Sequence, residues 1–550
     1  MKKTFLLILC LLQLSVSQAQ SLYLEITTDK NQDQEVLKNY NYQKKHQSAD
    51  QIDQAAQDVL HSLIKSGYLG AAITEHLKTS DSTFIYRFNP GNKTQWVFIN
   101  IAGIAPEFKN HFNSTRDTIK IPVAEVEDYM QSKTNTLEKN GFSTTQLQLI
   151  NHQFIKNNLY CDLISIGTTF RTLQEVTVMG YDKFPANVKK NWLRKYKNKV
   201  FNEELLNNLQ NDINNLGFVT QTKKPEILLE QNKTTAFVYL DKSKINKFDG
   251  FVGFATAEDG NIKFNGNLDF VLNNSLNKGE QIRLNWINDG NKQSTLNVST
   301  EIPYLFKSPV GLVFDLNIFK QDSTFQTTKQ RYKLGYYFSY NSKLFVGADK
   351  NSSVKIQAAA GREYTNYEST FYNLTYYYNK RNTKHRLFAD ATVFQVELGT
   401  GKRTTTEQEE KQYSLQSKLE QLFYLNNANV IYVKNENFYL HSPNYIANEL
   451  HRFGGANSLR GYNENSLQAN LSALLSVEYR YILSDKLYMN TITDFAYLKD
   501  NTTNLTKNLG SLGFGLGLLN ENSLLKINFA NGIHNKSVIN LNNSVIHLSY

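Results

Sequence analysis

The sequence predicts an α+β half followed by an antiparallel β-barrel half that crosses a membrane. Three helical patterns each end in glycine followed by an aromatic residue, at Gly67-Tyr68, Gly141-Phe142 and Gly217-Phe218, spaced about 75 residues apart. From about Asn246 onward the helical period gives way to two-residue alternation, the pattern of strands with two unlike faces. The chain opens with a short apolar run behind two lysines, the form of an export signal.

Residues 1–19 read as that signal. Lys2 and Lys3 supply the positive start, Phe5 to Leu14 the apolar run, and Ser17-Gln18-Ala19 the small residues before cleavage. Cys10 lies inside the apolar run, which disfavours a lipoprotein signal. No later stretch approaches the roughly 18 apolar residues of a membrane helix. Mean hydropathy is -0.47, yet the chain holds 32 Tyr and 33 Phe with 2 Cys and 8 Pro. Averages mislead for membrane barrels, because lipid-facing and lumen-facing residues alternate and cancel. Cys161 is the sole thiol beyond the signal, so no internal disulfide forms. The net charge of +10 is spread along the chain with no basic-aromatic motif, which disfavours nucleic acid as a partner.

The repeats span 20–93, 94–169 and 170–245. In each, glycine stops a helix in a left-handed conformation and the aromatic leads into the next strand. The third is clearest. Val176–Met179 reads as a strand, Pro185 begins a short helix, and Asn202 caps a longer one whose apolar stripe is Leu205, Leu206, Leu209, Ile213 and Leu216. Paired strands follow at Val219–Glu230 and Thr234–Asp241. The second gives a strand Trp96–Ile101, a helix Val123–Asn140 and strands Ser143–Asn151 and Leu159–Ile166. The first gives Leu22–Thr27, a helix Ala49–Ser66 and strands Ala71–Lys78 and Thr83–Phe88, with Lys30–Ser48 unreadable.

Residues 246–550 form the barrel half. Alternation is plain in Leu312–Phe319, Tyr332–Tyr340 and Ala473–Tyr481. Sixteen strands of about 19 residues each, turns included, fit the length. The ambiguous stretch Phe345–Tyr372 leaves fourteen as the other count. Closure is required, because an open edge in hydrocarbon leaves backbone groups unpaired at several kcal/mol each. Glycines Gly250 and Gly253 in the opening strand, and Asn540, Asn542 and Asn543 in the closing one, are poor strand formers, so the first/last seam is expected to pair weakly.

Between two alternating segments lies Arg452-Phe-Gly454-Gly455-Ala-Asn-Ser-Leu-Arg460-Gly461-Tyr462. Glycines here serve tight backbone turns that deliver one charge to a defined place. This motif resembles the inward-folded sixth extracellular loop of the BamA/TamA outer-membrane assembly superfamily. The strand, helix, strand, strand repeats resemble POTRA domains, and three of them before a sixteen-stranded barrel are most similar to the TamA branch. The resemblance implies that Arg460 meets acidic residues on the inner wall. The candidates are Glu478 in Leu475–Tyr479, which alternation with Val477 and Tyr479 turns inward, and Asp494 in Thr491–Tyr497, which resembles the family's Phe-x-Asp-x-Gly strand with Ala496 where glycine is usual. The end, with Ile546, Leu548 and Tyr550 at two-residue spacing, resembles the recognition signal of barrel proteins.

The implied function is a Gram-negative outer-membrane assembly factor with its repeats in the periplasm. It would receive unfolded outer-membrane or exported polypeptides, work against outer-membrane lipid, and use periplasmic or inner-membrane partner proteins. The alternative is a polypeptide secretion pore of the two-partner type. A passive diffusion pore leaves the repeats unexplained. No phosphate-binding loop, Gly-x-Ser-x-Gly, His-Glu-x-x-His or Cys/His metal spacing occurs. No enzyme activity, cofactor or metal is expected, and His441 and His451 read as exposed loop residues.

Overall fold

The computed structural model describes residues 21–112, 117–231, 233–243, 246–256, 262–288, 293–321, 324–357, 364–520, 523–534 and 544–549. The expected signal, Asn540, Asn542, Asn543 and Tyr550 lie outside these. Two compact units divide the chain, one reaching Thr172 with Val200–Glu204, the other Leu173–Lys199 with Leu205 onward.

The first unit holds two sheets of one topology. In the first, Leu22–Thr28 pairs in parallel with Thr83–Asn89, which pairs antiparallel with Ala72–Lys78. In the second, Trp96–Asn100 pairs in parallel with Asn158–Ile166, and that with Gln146–Ile155. Helix Ala49–Lys65 buries Ile52, Ala56, Val59 and Leu63, one stripe at helical spacing. Ser48 caps it by accepting from the Gln51 amide. The unreadable stretch of the first repeat contains a helix Asn31–Leu37 and a two-residue strand Lys45–His46. The second repeat adds an edge strand, Thr118–Pro122, that sequence reading missed. It alternates over only Thr118-Ile-Lys-Ile121 before a terminal proline, too short a run to stand out, and an edge tolerates the proline. The helix expected from Val123 opens as a 3-10 turn and becomes α-helical at Val126–Lys139.

The second unit starts with the same pattern. Strand Glu175–Met179 pairs in parallel with Thr234–Lys242, which pairs antiparallel with Val219–Leu229. Helices Ala186–Tyr196 and Glu203–Leu216 cover this sheet. Trp192, Leu209, Ile213 and Leu216 form its core, which continues without a break into Tyr304, Tyr337 and Phe345.

Tyr337 and Phe345 belong to a sixteen-stranded antiparallel sheet, and Tyr304 to one of its turns. Its strands are β1 (Lys247–Thr256), β2 (Ile262–Asn273), β3 (Gln281–Asn288), β4 (Gln293–Ile302), β5 (Val310–Gln321), β6 (Phe325–Ser339), β7 (Ser342–Lys355) and β8 (Tyr367–Arg381). They continue with β9 (Asp390–Thr404), β10 (Glu409–Tyr424), β11 (Asn429–His441), β12 (Leu471–Ser484), β13 (Leu487–Asp500), β14 (Leu505–Asn520), β15 (Ser523–His534) and β16 (Ser544–Ser549). The stretch that left fourteen open resolves into β7 and β8. Each strand pairs with its sequence neighbour, so every connection is a hairpin.

Burial in this sheet is inverted. Along β12, Ser476, Glu478 and Arg480 are buried while Leu475, Tyr479, Tyr481 and Leu483 are exposed. On β13, Asn490 and Asp494 are buried while Met489, Phe495 and Tyr497 are exposed. An apolar outside around a polar inside is the order a bilayer selects. No described helix is long and apolar enough to cross a membrane; crossing here falls to strands.

Candidate lumenal lock

Residues 442–470 join β11 to β12 and carry the glycine-arginine motif. The segment touches the wall almost all the way round. Asn448 donates to Ser353 Oγ on β7 at 2.8 Å, Asn465 donates to Gln293 Oε1 on β4 at 3.3 Å, and the Gly461 amide donates to His547 Nε2 on β16 at 3.0 Å. A single loop reaches β4, β7 and β16 only if the sheet curls round it, so the loop lies in the lumen. A short hairpin, His451–Phe453 with Leu467–Ala469, stiffens its stem.

At the tip, Arg460 is 5 % exposed and Asp494 fully buried. Asp494 receives three bonds from Arg460: from Nε at 2.9 Å, Nη2 at 2.6 Å and the backbone amide at 3.2 Å. Arg460 Nη1 donates to Glu478, whose other oxygen accepts from Arg480 Nε at 2.7 Å. Arg480 is itself stacked 3.9 Å from the Tyr432 ring centre. Two guanidinium groups thus face two carboxylates, so the buried charges balance. Beside them Leu459, Tyr462, Leu474, Ala496 and Leu498 pack as an apolar cluster. The methyl of Ala496, at the position usually glycine, belongs to that cluster.

The remaining motif residues shape and seat the tip. Gly454 and Gly455 lie at positive φ and turn the chain back. Gly461, at φ +78°, sits so close to β15 that a Cβ would lie 2.6 Å from the Gly532 nitrogen. No L side chain fits there without moving backbone. Tyr462 Oη donates toward the carbonyls of Ile533 at 2.9 Å and Gly510 at 3.2 Å. Arg452 is placed apart from this group, its guanidinium 5.3 Å from the Phe325 ring centre on β6. His451 stacks on Phe438 at 4.6 Å, while His441 ends β11.

Sequence reading missed a second anchor at the loop base. Arg403 of β9, 1 % exposed, donates to Glu410 of β10, to Glu449 of the loop and, at 3.1 Å, to the Asn444 carbonyl. Gln412 adds a bond of 2.7 Å to Glu449. The signal was alternation alone: Arg403, Glu410 and Gln412 all occupy inward positions of β9 and β10.

At the sheet ends, among the described residues, β16 pairs with β15 over Ser544–Ser549 and no ladder joins β16 to β1. Gly250 lies at φ +140°, with the Asn267 carbonyl where a Cβ would be. Gly253 pairs in register with Asn265. Ile546 and Leu548 of β16 are exposed on the apolar side. Among the described residues no group of His, Cys, Asp and Glu is placed to hold a metal.

Fold and loop together define a membrane β-barrel fronted by POTRA-like repeats and stoppered by its own chain. Known structures carry the same architecture. CdiB from Escherichia coli matches with a TM-score of 0.51 at 12 % identity, over 90 % of this chain and 96 % of that one. CdiB from Acinetobacter baumannii matches with 0.50 at 14 %, over 91 % and 96 %. BamA from Haemophilus ducreyi lacking POTRA domains 1-3 matches with 0.46 at 14 %, over 82 % and 98 %. No sequence-family description matches the chain, and no curated protein does. The chain therefore shares the repeat-and-barrel fold of the two CdiB structures.

Proposed function

We propose that the protein is an outer-membrane assembly factor that receives extended polypeptides on its periplasmic repeats and inserts or translocates them beside the first/last seam. The observation that carries this reading is the loop tip. Its residues bind β12 and β13 through Arg460 and β14 to β16 through Tyr462 and Gly461. One lumenal element thereby braces the wall next to the last strands, while the first strand carries Gly250 at positive φ. A strand pair of this kind opens at low cost and offers unpaired backbone to an incoming strand. The repeats supply further sheet edges for an extended client. The chemistry is hydrogen-bond exchange and needs no cofactor.

Depletion of the protein, followed by proteomics of the outer membrane, tests this. Loss of several folded barrel proteins is expected. Loss of one exported protein, with other barrels at normal levels, would replace this reading with the two-partner-type secretion pore. An unchanged outer membrane would remove both.

A further inference from the structure

The connection between β4 and β5, residues 303–309, has a backbone that its sequence does not favour. Tyr304, Phe306 and Lys307 all lie at positive φ, between 53° and 59°, and none is glycine. Side chains with a Cβ resist this region, so surrounding structure must hold them there. It does. Asn187 of helix Ala186–Tyr196 donates to the Pro303 carbonyl at 3.1 Å, and Asn191 to the Ser308 carbonyl at 3.3 Å. The Tyr304 ring is buried in the core of the third repeat. What this effort presents is Phe306, 98 % exposed, with Lys307 beside it. Asn187 also donates at 2.7 Å to the Lys278 carbonyl in the β2–β3 turn, which presents Leu276, likewise exposed.

We infer that these two turns form an anchor that the third repeat presses into the membrane–water interface on the periplasmic side, next to the seam. The occupant is lipid because the outer apolar surface runs directly to the turn. Leu312 pairs with Leu334 and Val310 with Tyr336, Phe338 follows 5.2 Å from Tyr336, and the turn begins just before Val310. An aromatic at the end of such a row, with a lysine adjoining, matches the interfacial girdle where rings sit among headgroups and ammonium groups meet phosphates. The girdle here is carried on turns fixed by a periplasmic domain, so movement of that domain would strain the bilayer beside β1 to β5. The inference rests on the membrane reading of the barrel but not on any client.

The test uses the full chain with Cys161→Ser, placed in vesicles of phosphatidylethanolamine and phosphatidylglycerol. A nitroxide is attached in turn at Phe306→Cys, at Leu334→Cys on the outer face and at Lys224→Cys on the third repeat. Collision with a water-soluble nickel chelate is then compared with collision with oxygen. The expected result is a several-fold loss of chelate access at 306 relative to 224, approaching that at 334. Access at 306 equal to that at 224, with 334 protected, would overturn the anchor and leave the barrel reading intact; it would also be the result if the turns met a protein partner instead. Chelate access at 334 itself would sink the membrane reading and the anchor with it.

Discussion

The first repeat and the barrel lumen both contain arginine paired with carboxylate, and they differ in everything around the pair. Arg87 and Glu75 meet at 3.0 Å with nearly half of each side chain in solvent. Arg460 and Asp494 meet at 2.6 Å with the aspartate in none. In the repeat, apolar side chains fill the inside and the ion pair decorates the outside. In the barrel the order is reversed, and ion pairs do the packing. The same two functional groups therefore serve solubility in one place and architecture in the other.

Breaking the buried side should have the largest effect. Arg460→Ala removes both guanidinium donors to Asp494 and the one to Glu478, leaving only the backbone amide, and we expect a loss of about 3–5 kcal/mol. It would appear as a lower temperature at which the folded band on an unheated gel disappears; an unchanged transition with full activity would remove the locking role. Inverting the outside comes next. Phe514→Arg, on an exposed position of β14, should cost about 2–4 kcal/mol in a bilayer, read as folded fraction in vesicles, and little in detergent. A smaller effect, about 1–3 kcal/mol, is expected from Gly461→Ala, where the new Cβ meets β15 backbone at a positive φ. Faster hydrogen exchange in β15 and β16 would report it. Arg87→Ala should change stability by no more than about 1 kcal/mol, given its exposure and salt screening, with exchange in Thr83–Asn89 as the measure. Last, the Cys161 thiol is pushed up to about 11, first by burial and then by Asp162. At pH 8 about one such thiol in a thousand is ionised. Alkylation of the native protein should be slow and should speed up only as pH rises toward 11 or on unfolding.

The contrast also explains what was legible in the sequence. A charge between lipid-facing residues is readable, so Glu478 could be set on the inner face from Val477 and Tyr479, whereas Asp494 was reached through the resemblance of its strand to the family's pattern. Helix ends at Gly67, Gly141 and Gly217 were legible because glycine is required there: all three lie at positive φ. The Arg403, Glu410 and Glu449 anchor was not, since its members carry no motif: Arg403 and Glu410 are cross-strand neighbours, but Glu449 reaches them only because the loop folds back onto the wall. The asparagines that hold the strained turn were equally hidden, because a buried amide in a helix looks like any surface asparagine. Edge strand Thr118–Pro122 was lost to its shortness and its terminal proline.

The inverted polarity of the barrel has a consequence for how this chain is made. In water, collapse gathers apolar side chains toward a centre, but here Tyr479, Phe495, Phe514 and Leu548 finish on the rim. Spontaneous condensation in an aqueous compartment thus leads away from the final state. Until it meets lipid, the newly made polypeptide has no solvent that suits its finished surface, so a protein proposed to escort others begins as cargo itself.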